Sequence, residues 1–195
     1  LTRAPWGTIK PSMMAPHELT MAFQTRRQVT LGLSLGALWP WASVQAQNPS
    51  EAALEAVAPA MPRVGDVLKV PSIRLLTGQD FQHDRQPLLL YWWSSTCPFC
   101  ALQSPSMQGL WQAQKSRGLR MLALSIDKKP EDAQAYLKKR GYTFPSAWAS
   151  PEWRQQFPKP KGLPITLLMD SQHKVMLAEK GQMFAEDVEA ISRLL

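Results

Sequence analysis

The chain has 195 residues, 45% of them hydrophobic, and contains only two cysteines. Four of its 22 basic residues and one of its 15 acidic residues precede residue 47, so residues 47–195 carry a net charge of about +4, whereas the whole sequence carries +7. The basic residues form short clusters without interleaved aromatic residues, which argues against a nucleic-acid-binding protein. Residues 47–195 are long enough for one domain with a buried core.

The N-terminal region has the pattern of an export signal. A basic segment at 25–29 precedes an apolar stretch at 29–44 that is too short for a comfortable membrane span. The stretch ends in Val-Gln-Ala at 44–46, and the small last residue suits cleavage by a signal peptidase. We therefore predict that residues 1–46 are a leader, with the true start near Met21.

Three interpretations of the leader stay open. The pair Arg26-Arg27 after a threonine resembles a twin-arginine signal, an ordinary secretory leader carries similar basic residues, and an uncleaved anchor is the third option. All three place the domain outside the cytoplasm, and we predict the periplasm of a bacterium. There a disulfide can persist.

The segment after the predicted cleavage near Gln47 has the composition of a linker. Residues 47–61 are rich in alanine and proline, which predicts a flexible tether with one short helix near 51–57. The folded domain is predicted to span 62–195. It opens with a short hairpin at 73–81, because a Thr-Gly turn separates two short strand-like segments.

The two cysteines follow a predicted strand directly. A continuous apolar run at 88–93 predicts a buried strand, and a helix is predicted from 98 to 117. Between them lies Cys-Pro-Phe-Cys, with Cys97 and Cys100 two residues apart. This spacing at a strand-to-helix junction indicates a dithiol/disulfide redox centre, since the helix start favours a thiolate at Cys97.

Two structural interpretations compete with the redox one. A structural disulfide across three residues closes too small a loop to stabilise a domain of this size. A zinc site needs about four ligands. After the leader only His83 and His173 could join the cysteines, and neither lies at zinc-finger spacing.

The remaining segments alternate between strand and helix patterns. A helix at 127–140 has Pro130 near its start, basic residues in its last turn and Gly141 after it. The other predicted elements are strands at 119–126, 144–149, 165–169 and 175–178, a helical turn at 151–157 and a helix at 184–195. A tight turn joins the last two strands, so the prediction is an α/β fold with a mixed sheet and helices on both faces.

Three features of the sequence resemble the TlpA/ResA-like branch of the thioredoxin superfamily, which consists of exported thiol–disulfide oxidoreductases. They are Cys-Pro-Phe-Cys at 97–100 after its strand, Gly-Leu-Pro-Ile-Thr at 162–166, and the strand–helix unit at 119–140. The resemblance covers 62–195 and implies a thioredoxin-like mixed sheet with an N-terminal hairpin extension.

The predicted catalytic residues are Cys97 and Cys100. Cys97, at the helix start, is expected to be the more exposed thiol with the lower pKa; it attacks a substrate disulfide, and Cys100 resolves the mixed disulfide. Pro98 suits the first helical turn. Phe99 offers an apolar tip on which partners could dock, so Pro98 and Phe99 are predicted substrate-binding residues.

Leu163 and Pro164 complete the predicted site. The resemblance implies a cis peptide before Pro164, in a loop that faces the reactive cysteine. The backbone of Leu163 would then pair with an extended substrate segment through main-chain hydrogen bonds. A trans proline that opens a strand is the alternative.

Two positions depart from the family pattern. A buried acid is common six residues before the first cysteine, where this chain has Tyr91. ResA-like proteins carry a glutamate three residues after the second cysteine, where this chain has Gln103. The proton acceptor for the second cysteine is therefore undefined by the sequence, and Asp84 or Glu179 could serve only if the fold brings them close.

The resemblance implies a periplasmic protein-disulfide reductase, re-reduced by a membrane electron donor. Its predicted partners are exported proteins, such as apocytochrome c or proteins with copper-site cysteines, and the predicted form is a monomer without cofactor or metal. A disulfide-forming oxidant with the same two cysteines is the alternative within this chemistry.

Two other functional classes remain open. A peroxiredoxin-type peroxidase needs a serine or threonine three residues before its cysteine, which Ser94 satisfies, and a proline further upstream, where Leu90 stands instead. A copper(I) chaperone would use Cys97 and Cys100 with His173 or a methionine as soft ligands.

Overall fold

The computed structural model describes residues 50–82 and 85–195. The predicted leader at 1–46 and the residues His83 and Asp84 lie outside this described part. Within it, no helix has both the length and the apolar character needed to cross a membrane.

The described residues form five strands and five α-helices in an alternating order. In chain order they are α1 (Glu51–Ala56), β1 (Leu88–Trp93), α2 (Pro98–Gln114), β2 (Arg120–Ser125), α3 (Pro130–Arg140), β3 (Ser146–Trp148), α4 (Pro151–Gln156), β4 (Ile165–Met169), β5 (Val175–Lys180) and α5 (Ala185–Ala190). Short 3₁₀ turns follow α2, at Lys115–Arg117, and α5, at Ile191–Leu194.

The five strands form one sheet in the order β3-β2-β1-β4-β5. Strand β1 is parallel to β2, and β2 is parallel to β3, whereas β4 is antiparallel to both β1 and β5. The predicted mixed sheet is confirmed. Because Trp92 pairs with Ile165, the carboxyl end of β1 and the start of β4 lie side by side at one end of the strands.

Helices cover both faces of the sheet, as predicted. All six residues of β1 are buried. Its odd-numbered residues belong to a core shared with α2, α3 and α5, and its even-numbered residues belong to a second core shared with α4 and the segment 61–81. This double burial explains why β1 reads as a continuous apolar run rather than an alternating one.

Helix α3 begins later than predicted. The sequence suggested a start at residue 127, but the helix begins at Pro130, which suits a first helical position because it lacks an N–H group. Asp127 instead turns back towards the loop after β1. At the other end, Gly141 adopts a left-handed conformation (φ 69°) and ends the helix as predicted.

The predicted N-terminal hairpin is present as a short turn. Arg74 and Asp80 form an antiparallel bridge, and the Phe81 amide donates to the Ile73 carbonyl at 2.9 Å. A further bridge joins Leu75 to Ala147 of β3. The hairpin therefore extends the sheet at the β3 edge.

The predicted tether contains a helix that contacts the domain. Helix α1 begins after Ser50, whose hydroxyl accepts from the Ala53 amide. Glu51 pairs with Arg154 at 2.7 Å, and Glu55 lies one turn further on. The short helix expected near 51–57 is present, and its two glutamates have buried basic partners that the sequence alone does not reveal.

Candidate active site

Cys97 and Cys100 form a disulfide at the start of α2, as their spacing predicted. Cys97 is the N-cap residue, and its sulfur accepts a hydrogen bond from the Cys100 amide at 3.1 Å. Cys97 is half-buried and Cys100 is fully buried. The more exposed cysteine therefore lies at the positive end of a 17-residue helix, where a thiolate is stabilised after reduction.

Exposed apolar side chains lie on the first turns of α2, next to the disulfide in sequence. Pro98 is exposed, Phe99 is 56% exposed, and Leu102, one turn along α2, is 63% exposed. Phe99 and Leu102 are three residues apart, so they lie on the same face of the helix. Sequence analysis identified Pro98 and Phe99 but not Leu102, although its i+3 spacing from Phe99 was the available signal.

The peptide bond between Leu163 and Pro164 is cis, as the resemblance implied. Pro164 directly precedes β4. Because Trp92 pairs with Ile165, Pro164 lies at the same end of the strands as the cysteines, which follow β1. Leu163 and Cys97 both pack against the core that includes Cys100. The fold therefore brings together the two segments that the sequence placed in one site.

Two loops flank the disulfide, and each is held by a buried group. The cysteine loop comprises residues 94–97 between β1 and α2. The proline loop comprises residues 158–164 between α4 and β4. The cysteine loop leaves the end of β1 and the proline loop leads into the start of β4, so both lie at the same end of these paired strands.

Asp127 holds the cysteine loop. It is 6% exposed, and its carboxylate accepts hydrogen bonds from the hydroxyls of Ser94 (2.8 Å), Ser95 (2.7 Å) and Ser125 (2.7 Å). The Ser95 amide also donates to it, at 3.0 Å. Sequence reasoning missed this role; the available signal was an aspartate at the end of a buried strand, where a charge needs partners.

The proline loop is held by Lys159, whose side chain is buried. Its ammonium group donates to the carbonyls of Pro160 (2.8 Å) and Gly162 (3.1 Å) and to Glu55 of α1 (2.9 Å). Glu55 also accepts from the Gly162 amide at 2.7 Å. Helix α1 is thus bonded to the loop that leads into Pro164.

Tyr91 occupies the position of the family's buried acid. Burial raises the pKa of its hydroxyl well above the usual value, so it stays neutral. The hydroxyl donates to the Cys100 carbonyl at 3.2 Å and lies 3.1 Å from the Ser104 hydroxyl. Tyr91 therefore anchors the first turn of α2 and leaves no carboxylate at this position.

Gln103 links α2 to two other parts of the site. It is 1% exposed; its amide nitrogen donates to the Thr166 hydroxyl at 2.9 Å, and its amide oxygen accepts from the Met183 amide at 2.9 Å. Glu179 is exposed and lies opposite Thr166 in the β4–β5 ladder. Cross-strand partners share a face, so Glu179 is on the Gln103 side of the sheet.

The positions of His173, Ser94 and Leu90 do not favour the copper-chaperone and peroxidase alternatives. His173 lies in the turn after β4, at the opposite end of that strand from Pro164, so the fold does not bring it to the cysteines. Across 50–82 and 85–195, no three metal-ligating side chains of His, Cys, Asp or Glu cluster together. The Ser94 hydroxyl, which a peroxidase would use, donates to Asp127, and Leu90 is buried in β1.

Comparison with known proteins gives a consistent result. The model of the AhpC/TSA family matches residues 69–181. A sporulation thiol-disulfide oxidoreductase A from Bacillus subtilis is 22% identical over 170 residues, which cover 85% of this chain and 96% of that protein.

Solved structures share the fold. StoA from Bacillus subtilis is 20% identical with a TM-score of 0.56, covering 67% of this chain and 99% of the other. A secreted Mycobacterium tuberculosis disulfide oxidoreductase homologous to Escherichia coli DsbE is 15% identical with a TM-score of 0.57, covering 65% and 96%. The predicted thioredoxin-like fold and the predicted enzyme class, a thiol–disulfide oxidoreductase, are confirmed. The chain belongs to the AhpC/TSA family, within the thioredoxin superfamily.

Proposed function

We propose that this thiol–disulfide oxidoreductase works outside the cytoplasm as a reductant of disulfides in exported proteins. The observation that carries the exchange chemistry is the unequal exposure of the two cysteines at the start of α2: Cys97 is half-buried and Cys100 is fully buried. One sulfur can meet a substrate while the other waits beneath it, as a two-step exchange requires.

The reaction begins with the reduced protein. The Cys97 thiolate attacks a substrate disulfide, which forms a mixed disulfide and releases one substrate thiolate. The Cys100 sulfur, as thiolate, then attacks the Cys97 sulfur and releases the second substrate thiolate. The substrate gains two electrons, and the protein is left with the Cys97–Cys100 disulfide for an electron donor to reduce.

Substrate binding is proposed to use both sides of the disulfide. Pro98 and Phe99 offer an exposed apolar surface on the α2 side. The backbone of Leu163, before Pro164, offers main-chain groups to an extended segment on the other side. Such pairing tolerates many sequences, which suits a protein with several disulfide substrates.

The reducing direction and the location rest on three supports. The predicted leader would export the chain, and one structural relative is a secreted disulfide oxidoreductase. The resemblance to the TlpA/ResA-like branch favours a reductant, served by a membrane electron donor and acting on apocytochrome c or copper-site cysteines. Exported proteins with such disulfides are therefore the proposed partners.

A trapping experiment tests the exchange. Cys100→Ser should accumulate mixed disulfides between Cys97 and substrate proteins, because the resolving sulfur is gone. Cys97→Ser should form none and should lose all turnover. The species are read on non-reducing gels and by mass spectrometry of the linked peptides. Full turnover by the Cys97→Ser protein would contradict the mechanism.

Assays of the wild-type protein distinguish the proposed reductant from an oxidant, a peroxidase and a copper chaperone. Oxidation of reduced substrates without reduction of oxidised ones would assign the oxidant direction to the same site. Consumption of hydrogen peroxide by the wild-type protein at rates above its disulfide exchange would assign the peroxidase class. Tight binding in a copper(I) titration would assign a copper chaperone.

A further inference from the structure

We propose that Glu55 of α1 is a positioning residue for the proline loop, and that this helix thereby controls how the protein binds large substrates. The inference rests on the proposed function, because it assigns a use to the Leu163–Pro164 segment. It adds a control by a segment more than 100 residues upstream, which sequence alone places in a linker.

Both oxygens of the Glu55 carboxylate bind the proline loop. One accepts from the Gly162 amide at 2.7 Å, and the other accepts from the Lys159 ammonium group at 2.9 Å. Gly162 directly precedes Leu163, so the hydrogen bond fixes the backbone one residue before the segment proposed to meet the substrate. No helix of the domain core supplies this contact; it comes from α1.

Lys159 makes the proline loop depend on that contact. Its side chain is 4% exposed, and its three donors go to Pro160, Gly162 and Glu55. Without Glu55, the buried ammonium would keep two carbonyl partners but lose the one negative partner it has among the described residues. An uncompensated buried charge is costly, so the lysine would turn towards water and pull the loop with it.

Gly162 is the point at which the proline loop meets Glu55 through its own backbone. It has a φ of +94°, which favours glycine, and a Cβ at this position would lie 3.2 Å from the Lys180 side chain. The conformation of Gly162 can change easily once its amide loses the Glu55 carboxylate, because glycine accepts many backbone conformations. We therefore expect loss of the Glu55 contact to shift the backbone at the next residue, Leu163.

The neighbouring ion pair of α1 provides a matched control. Glu51 binds Arg154 at 2.7 Å, and Arg154 is also buried, at 4% exposure. Arg154 belongs to α4, so this pair ties α1 to the domain without touching residues 158–164. Glu51→Ala and Glu55→Ala each remove from α1 one ion pair whose basic partner is buried, but only Glu55→Ala removes a contact to the loop.

Substrates of different size distinguish a misplaced proline loop from a general loss of structure. A small aromatic disulfide needs only the Cys97 sulfur, whereas a folded protein disulfide also needs the main chain beside Leu163. A misplaced proline loop should therefore raise KM for the protein substrate and leave the small-disulfide rate unchanged. A general loss of structure would lower both rates.

The experiment compares the full chain with Glu55→Ala, Glu55→Gln and Glu51→Ala. We expect Glu55→Ala to raise KM for a disulfide-containing protein about tenfold with kcat changed less than about twofold. Glu55→Gln keeps an acceptor for the Gly162 amide and should fall between wild type and Glu55→Ala. Glu51→Ala should match the wild type, and all four proteins should reduce the small disulfide equally fast.

Three results would overturn the inference. They are an unchanged KM in Glu55→Ala, an equal rise in Glu51→Ala, and a parallel loss of small-disulfide reduction. Failure of the proposed function looks different, since the wild-type protein would then not reduce the protein disulfide at all. In that case KM for oxidation of the reduced protein substrate tests Glu55 with the same variants and the same expected ratio.

Discussion

The cysteine loop and the proline loop flank the same disulfide but are held in different ways. The cysteine loop is fixed by Asp127, a carboxylate buried at the end of a central strand and satisfied by hydroxyls. The proline loop is fixed by the Glu55–Lys159 pair, in which the glutamate is 32% exposed and belongs to a peripheral helix. One loop depends on the core, and the other depends on the N-terminal segment.

The difference suggests that the two loops have separate roles: one positions the reactive sulfur, and the other is proposed to bind the substrate. The loop that carries the reactive sulfur is locked to the folded core, so its geometry persists whenever the protein is folded. The loop proposed to offer main chain to a substrate is held by a contact to a peripheral helix, and we expect the domain to stay folded when this contact is lost. We therefore expect that substrate binding can be altered while the chemistry proposed for Cys97 is left intact.

The largest effect is expected from Asp127→Ala. Three hydroxyls and the Ser95 amide would lose their acceptor, and we expect a loss of about 2–3 kcal/mol in the free energy of unfolding. The cysteine loop would no longer be fixed, so alkylation of reduced Cys97 and reduction of small and protein disulfides should all change together. Chemical denaturation and alkylation kinetics measure the two effects.

Ser125→Ala is the control for that substitution. It removes one donor to Asp127 that does not belong to the cysteine loop. We expect about 1 kcal/mol of destabilisation and an unchanged alkylation rate at Cys97. If Asp127→Ala leaves Cys97 as reactive as in wild type, the carboxylate is purely structural and the contrast between the loops fails.

Gln103→Ala is expected to have an intermediate effect, because Gln103 connects α2 to β4 and to Met183. Removing it leaves the Thr166 hydroxyl and a buried amide without their partner, at a cost of about 1–2 kcal/mol. Both substrate classes should react more slowly, by less than in Asp127→Ala. Denaturation curves and initial rates test this ranking, and an effect on protein substrates alone would contradict it.

The strand, the two cysteines and the proline segment could be predicted from sequence, because each is a local pattern. The double burial of β1 appears as an uninterrupted apolar run, and Pro164 stands within a short motif. The two anchors could not be predicted, since Asp127 serves a loop about 30 residues upstream and Glu55 serves one more than 100 residues downstream. Each anchor is a charge whose partners only the fold supplies.

The smallest expected effect is the pH dependence of the Glu55 contact. Burial raises the pKa of Glu55, but the hydrogen bonds from Lys159 and Gly162 outweigh it, so the pKa lies below the usual value. A lowered pKa in the folded state gives stability that is complete above the unfolded value of about 4.3 and disappears as pH falls through the folded value.

Glu55→Gln has no ionisable group at this position. Comparison with this variant therefore isolates the stability that the ionised Glu55 carboxylate contributes. The melting temperature of wild type should exceed that of Glu55→Gln at pH 7, and the difference should shrink as the pH falls below about 4.3 and the carboxylate becomes protonated. Thermal unfolding across this range measures it. A difference that persists at low pH would mean that the charge of Glu55 does not hold the proline loop.

The most direct test of the central claim is the equilibrium reduction potential of the full chain, titrated in dithiothreitol and glutathione buffers with alkylation of free thiols. We predict one two-electron couple, Cys97–Cys100, with a midpoint near that of thioredoxin, about −270 mV, or lower, as a dedicated reductant requires. A midpoint near about −120 mV, the range of a disulfide-forming oxidant, would contradict the proposed direction. Absence of any reversible two-thiol couple would contradict the redox function itself.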